Sequence, residues 1–307
     1  MNPETAPETT LETASAPISA SQETIPGISA PRHRPTSQFL RRLPRFTRAK
    51  RSHRPPLVLQ ERDQQLLRAV YEYRLVSTPQ LILLFDQESR DGLYRRLQGL
   101  FHHGYVDRIG SNPNAPLVYA LAQRGAETLG VTRRKELSDP YIAHQLMIGD
   151  FRLAMTRATK ARGIGLSWRN VPADSPIKPD GFFGLQFPDR PEGRNRAFFF
   201  LEADRSTMTR ERYVQKLVNY GRWYQRGGHA EKLGIKRFRV LTVTKSEERT
   251  RSLLEAATRC SEIDSALPMF WFCYAGRFRA GTSSEPIDPI WNVVGARGEF
   301  RGLLPTI

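Results

Sequence analysis

"RAFFFLEADRS", residues 196–206, is the stretch on which the fold turns. The apolar run from Ala197 to Leu201 has the length and bulk of a strand covered on both faces. It surfaces at Glu202 and Asp204, within a 307-residue chain whose formal net charge is +16. Acids at a strand end commonly shape a polar turn and cap the helix that follows. The alternative is half of a metal site aimed at a phosphodiester, the kind of anion so basic a chain attracts.

Reading outward, a long helix is expected from Pro140 to Gly163, "PYIAHQLMIGDFRLAMTRATKARG", with Ile142, Leu146, Ile148, Leu153 and Met155 packed on a sheet. "GLSWRNV", "PDGFFGLQF" and "RAFFFLEAD" read as three strands, followed by the helix "TRERYVQKLVNYGRWYQRG" with Tyr213, Leu217, Tyr220 and Tyr224 on one face. A strand "FRVLTVT", a helix "SEERTRSLLEAATRC" and a strand "MFWFCYA" complete an α-β-β-β-α-β-α-β order over residues 136–280. Residues 281–307 form a C-terminal extension without an assigned structure.

Upstream, Leu59, Leu66, Leu67, Val70 and Tyr71 recur at helical spacing. A second helix begins at "STPQLILLF", capped by Ser77 or Thr78 with Pro79 in its first turn. A third runs from Ser89 to His103, with Leu93, Leu97 and Leu100 on one side and Arg90, Arg95 and Arg96 largely on the other. "YVDRIG" and "LVYAL" then make a hairpin. Three helices and a hairpin over residues 57–135 spell a winged helix-turn-helix. Its third helix would offer Arg90, Tyr94, Arg95, Arg96 and Gln98 to the major groove of double-stranded DNA. Arg108 and the loop "GSNPNAP" would meet phosphate or the minor groove. The same fold can equally dock a protein, and it often works as a homodimer.

Residues 1–56 read as a disordered tail. Its first thirty residues hold acids and no basic residue, whereas Arg32 to Arg54 carry many basic residues and no acid. That second half, with Arg41, Arg42 and Arg45, would act as an arm on DNA phosphates through counterion release, or simply as a solvated arm. No apolar run is long enough to span a bilayer, and no signal peptide is evident, so a cytoplasmic protein without a membrane partner is expected. Cys260 and Cys273 match no metal or redox spacing, and no Gly-rich phosphate loop speaks for an ATPase.

Antiparallel neighbours bring the start of one strand beside the end of the next, so Asp180 and Glu202 are expected to converge. Two hard oxygen ligands there would suit Mg²⁺ or Mn²⁺, with Asp150 or His144 of the long helix as a further ligand. The pattern Asp180…Glu202-x-acid resembles the PD-(D/E)XK nuclease-like fold. The ordered set "LQERDQQLLRAVYEYRLVSTPQL", "YRRLQGLFHHGYVDRI", "YALAQRGAETL", "AHQLMIGDF", "PDGFF", "FFFLEADRST" and "KLVNYGRWY" resembles the replication-relaxation family of plasmids and integrative elements. That resemblance implies an α+β chain: an N-terminal winged helix, then a PD-(D/E)XK-like α/β domain with a mixed sheet. It also implies a role in replication, relaxation or mobilisation, with a relaxase or replication proteins of the same element as partners.

One departure bears on the chemistry. The nuclease pattern has a lysine two residues after Glu202, and here Asp204 stands there, followed by Arg205. Lys216 on the next helix could reach back as the catalytic cation, as could Lys178; Arg205 could stabilise charge but is a poor proton acceptor. Two readings therefore stand: a DNA-binding accessory protein on a retired nuclease fold, or a Mg/Mn-dependent endonuclease using Asp180 and Glu202. Plain transcriptional regulation is a third and leaves most of the chain unused. A lysine within reach of both carboxylates would favour the enzyme. An Arg205–Asp204 ion pair filling the site would favour the scaffold.

Overall fold

In the computed structural model the chain is described over residues 47–54, 56–85, 90–110, 115–133, 139–279, 281–296 and 298–304. Arg41, Arg42 and Arg45, and positions 111–114 of the hairpin tip, lie outside the described residues.

The first helix, α1 (Glu61–Tyr73), starts on a reciprocal cap in which the Gln60 amide donates to Asp63 at 2.7 Å. It buries Leu66, Leu67 and Val70 as their spacing predicts, together with Tyr73, whereas Tyr71, read onto the same face, is exposed and Leu59 lies before the helix. A short strand, β1 (Leu75–Ser77), leads to α2 (Thr78–Leu84), which Ser77 rather than Thr78 caps, with Gln80 donating to its hydroxyl at 3.4 Å. α3 (Arg90–His102) buries Leu93, Leu97, Leu100 and Phe101. The hairpin β2 (Val106–Ile109) and β3 (Val118–Leu121) follows, then α4 (Gln123–Leu129). β1 pairs antiparallel with β3, giving a three-stranded sheet in the order β1-β3-β2. The sequence pattern missed β1 because three residues show no alternation; its place is set by the partner strand.

A 23-residue helix, α5 (Asp139–Ala161), leads into the second sheet. This comprises β4 (Gly165–Arg169), β5 (Gly181–Gln186) and β6 (Arg196–Asp204), and then, beyond α6 (Arg210–Gln225) and α7 (Gly228–Leu233), β7 (Arg239–Thr244). α8 (Glu247–Thr258) and a 3-10 segment, Ser261–Met269, precede β8 (Phe270–Tyr274). The extension at 281–307, unassigned from sequence, adds β9 (Trp291–Val293) and β10 (Phe300–Arg301) to the same sheet. The strand order is β10-β9-β8-β7-β6-β5-β4. β4, β5 and β6 are antiparallel, β6, β7 and β8 parallel, and β8, β9 and β10 antiparallel. The molecule is thus α+β with a large mixed sheet.

Alternation along β6 sorts the two faces. Phe199 and Leu201 pack with Phe151 and Met155 of α5 and with Trp271 and Trp291. Phe200 packs with Leu217 and Tyr220 of α6, Val240 and Phe270. Glu202 shares the parity of Phe200, so its side chain falls under α6. Burying a Phe of this kind stabilises by about 2 kcal/mol, so the aromatic ladder Phe182–Phe200 and Phe183–Phe199, with centroids 4.7 and 5.2 Å apart, pins the β5–β6 register.

α5 also touches the N-terminal elements. Gln80 of α2 donates to Asp150 at 2.6 Å and to the Leu146 carbonyl at 3.0 Å, and Leu153 joins the core of α1 and α3. Arg152 donates to the Glu72 carbonyl and carboxylate at 2.9 and 2.7 Å and lies over the rings of Tyr73 and Trp168.

Candidate functional site

At the end of β6, Glu202 is 1% exposed. Its Oε2 accepts from Lys216 of α6, and its Oε1 accepts from the Tyr220 hydroxyl at 2.6 Å. Lys216 and Tyr220 are one helical turn apart, so a single face of α6 delivers both donors. Burial pushes the Glu202 carboxyl up to about 7; the Lys216 ammonium opposes the rise and the Asp180 charge adds to it. Burial, reinforced by the Glu202 charge, raises the Tyr213 and Tyr220 phenols well above their ordinary range. Beneath them Tyr213 and Thr242 share a hydrogen bond of 2.7 Å.

Asp180 lies just before β5, whose pairing with β6 begins at Gly181 opposite Leu201. Its Oδ1 is 2.9 Å from His144 Nε2 of α5, and its Oδ2 accepts from the Ala203 amide at 2.8 Å. The two carboxylates are near enough to be felt electrostatically, yet each is turned to its own partners. Asp204 is paired with Arg249 of α8 at 2.6 Å and is 5% exposed. It also accepts from the Ser206 amide at 3.1 Å, and Ser206 has a φ of 62°. Asp204 therefore shapes the turn, and Thr209 caps α6.

The expected rescuers separate cleanly. Lys216 reaches Glu202; Lys178 donates to the Ala173 carbonyl, and Arg205 to the Pro140 carbonyl at 3.4 Å. Of the two further ligands considered, His144 meets Asp180, whereas Asp150 is taken by Gln80. They are six residues apart, and a helix turns such a pair to different faces. The donor set does not fit a ready-made divalent site: each oxygen of Asp180 and Glu202 already has a protein partner. Among the described residues, no group of three or more His, Cys, Asp or Glu stands together to hold an ion. Tyr220 and Arg249 were not foreseen. The i, i+4 spacing from Lys216 marks Tyr220, while Arg249 arrives through the β7–α8 crossover and leaves no local signal.

On α3, Arg90, Tyr94, Arg95 and Gln98 are exposed, with Tyr94 at 43%. Arg96 is not part of this face: it pairs with Asp63, which is fully buried, and donates to the Val58 carbonyl at 2.6 Å. Arg108 is half-buried with its guanidinium 4.8 Å from the Phe101 ring.

The model of a protein family described as replication-relaxation matches residues 67–236, which run from α1 through the Glu202 site to α7 and just beyond. No curated protein and no solved structure matches the chain. No helix among the described residues is long and apolar enough to cross a membrane.

Proposed function

The chain belongs to the replication-relaxation family, and from that premise we propose that it is a DNA-binding accessory protein of plasmid or mobile-element replication, relaxation or mobilisation. In this reading α1 to α4 form a winged helix-turn-helix that sets α3 in the major groove, and the second sheet is a nuclease-like scaffold. The observation that carries it is the division of labour on α3. Arg90, Tyr94, Arg95 and Gln98 face outward while Arg96 is spent on Asp63. The chain's charge of +16 and the basic stretch Arg32–Arg54 support the same reading. A relaxase or replication proteins of the same element are the partners it implies.

An endonuclease is the second reading, and Lys216 on Glu202 is the observation that favours it. The occupied oxygens of Asp180 and Glu202 weigh against it. The test is a supercoiled plasmid carrying the element's own origin region, incubated with the protein and Mg²⁺ or Mn²⁺, beside Asp180→Ala and Glu202→Ala. Salt-dependent binding by all three without nicking is expected. Nicking by the wild type and by neither variant would replace the accessory reading with the endonuclease.

A further inference from the structure

A cleft of about 1230 Å³ opens between the end of α1, one side of α5 and the β4–β5 edge, and it reaches Asp180. Six cations line it, interspersed with apolar side chains such as Leu84, Ile148, Ile164 and Leu166. Arg68 and Arg74 come from α1 and its end, Arg152 and Lys160 from α5, and Arg169 and Lys178 from the strand side. The acids that line it are already engaged, Glu72 by Arg152 and Asp180 by His144. Arg68, Arg74 and Lys160 are exposed, and among the described residues none of them has a carboxylate partner. The Trp168 indole N–H is buried and has no acceptor among the described residues. Tyr71, 41% exposed, offers a ring at the same cleft.

Arg74 is the most informative of these groups. It ends α1 with φ 63° and ψ −48°, a strained conformation that a glycine would adopt far more cheaply. A large cation held there at the cleft wall is a costly way to end a helix and an effective way to place a charge. Such a site asks for an acceptor-rich anion with flat apolar groups. The cavity is larger than a single nucleotide, yet too small to enclose a duplex, whose major groove alone is about 12 Å wide. Phosphates against Arg68, Arg74 and Lys160, with a base against Tyr71, match the way single strands are held without sequence preference.

We infer that this cleft is a binding site for single-stranded DNA, separate from the α3 face. The inference rests on the proposed function only in taking DNA rather than RNA as the strand. Arg152 stays in place as the cleft's floor, because its pairing with Glu72 and its position over Tyr73 and Trp168 hold α1 to α5.

The test uses the full chain and an oligothymidylate about fifteen nucleotides long, a length in the range of such sites. The variants are Arg68→Ala/Arg74→Gly/Lys160→Ala and, separately, Arg90→Ala/Arg95→Ala. Glycine at 74 suits the backbone and the other two changes lie on exposed helix positions, so the triple variant should fold; its unfolding transition checks that. The triple variant should bind the oligothymidylate about tenfold more weakly and its salt slope should fall by about 2, with duplex binding unchanged. The α3 variant should do the reverse. With 5-iodouracil in the strand, ultraviolet cross-links should fall on Tyr71 or Trp168. Equal single-strand binding by wild type and triple variant would overturn the inference, as would cross-links confined to other segments or tighter binding of oligouridylate RNA. Loss of duplex binding alone in the α3 variant bears on the winged helix, so the two failures are distinguishable.

Discussion

Replacing Lys216 with Met keeps most of the side-chain stem and removes the ammonium from a carboxylate whose side chain is 2% exposed. Glu202 is then left with the Tyr220 hydroxyl at 2.6 Å. Removing one partner of a buried pair costs about 3–5 kcal/mol. Lys216 retains 27% exposure, which screens the pair and lowers the expectation to about 2–3 kcal/mol when Glu202 is ionised. The pH dependence sharpens the test. The Glu202 carboxyl sits at about 7 in the folded chain against an ordinary 4.5. The native state therefore keeps a proton that the unfolded chain has released, and stability falls as pH rises from about 4.5 to about 7. Without the ammonium the carboxyl moves higher still, and the fall continues into alkaline solution.

Lys216→Met should thus be close to wild type near about pH 5.5, where Glu202 is protonated in both proteins, and melt about 5–10 °C lower near about pH 8.5. Far-UV circular dichroism melting curves at the two pH values measure this. Glu202→Gln/Lys216→Met, which has no charge to strand, should recover most of the loss at the higher pH. An equal penalty at both pH values, or a double variant as unstable as Lys216→Met, would show that the pair is not the buried, pH-linked interaction argued here.

Other substitutions probe separate links of the argument. Arg96→Ala should lose about 2–4 kcal/mol in urea unfolding, because Asp63 in the first turn of α1 is left buried without its cation, whereas Arg90→Ala/Arg95→Ala should leave the urea midpoint unchanged and weaken duplex binding. Gly125→Ala should destabilise by about 2 kcal/mol or more in the same assay, since its Cβ would meet the Tyr105 carbonyl oxygen at 2.2 Å, and that backbone atom, which accepts from the Ala122 amide, cannot swing away as a side chain could. Arg74→Gly alone should raise the midpoint, by about 1 kcal/mol of stability, by relieving a φ of 63°.

Some of this was legible in the sequence, and the boundary has physical causes. Long amphipathic helices and strands announce themselves by period, so α1, α3, α5, α6 and the run Ala197–Leu201 could be placed from residue spacing. β1, β9 and β10, of three, three and two residues, could not, because segments so short are specified by the strand they pair with. Asp180, Glu202, Lys216 and His144 could be named as candidates, since their types and strand-end positions carry the signal. Which partner each would take could not, because that depends on how far α5 and α6 lie from the sheet. Arg96 was misplaced for a related reason. It sits beside Leu97 at the border of the inner face, and nothing in the spacing of Asp63, three residues before Leu66, marks that acid as its partner. A carboxylate on the apolar stripe of one helix calls for a cation from another, and that pairing becomes visible only when the helices are packed.

The pairing of the acids also bears on the proposed binding of DNA by so basic a chain. Unpaired carboxylates near a phosphate backbone would repel it, and a buried one would be costly in any case. Here Glu202 is met by Lys216 and Tyr220, Asp180 by His144 and the Ala203 amide, and Asp204 by Arg249. The compensation comes from within the fold, and the exposed cations of α3 and of the cleft are left facing solvent. Of the carboxylates that first suggested a catalytic pair, Glu202 is met by a cation within the fold and Asp180 by hydrogen bonds. This favours a surface that holds DNA over a centre that cuts it. If the plasmid were nicked, Lys216 would have to leave Glu202 for an ion to bind there. Lys216→Met would then raise the affinity for Mn²⁺ while lowering the rate, a split that a purely structural ion pair would not produce.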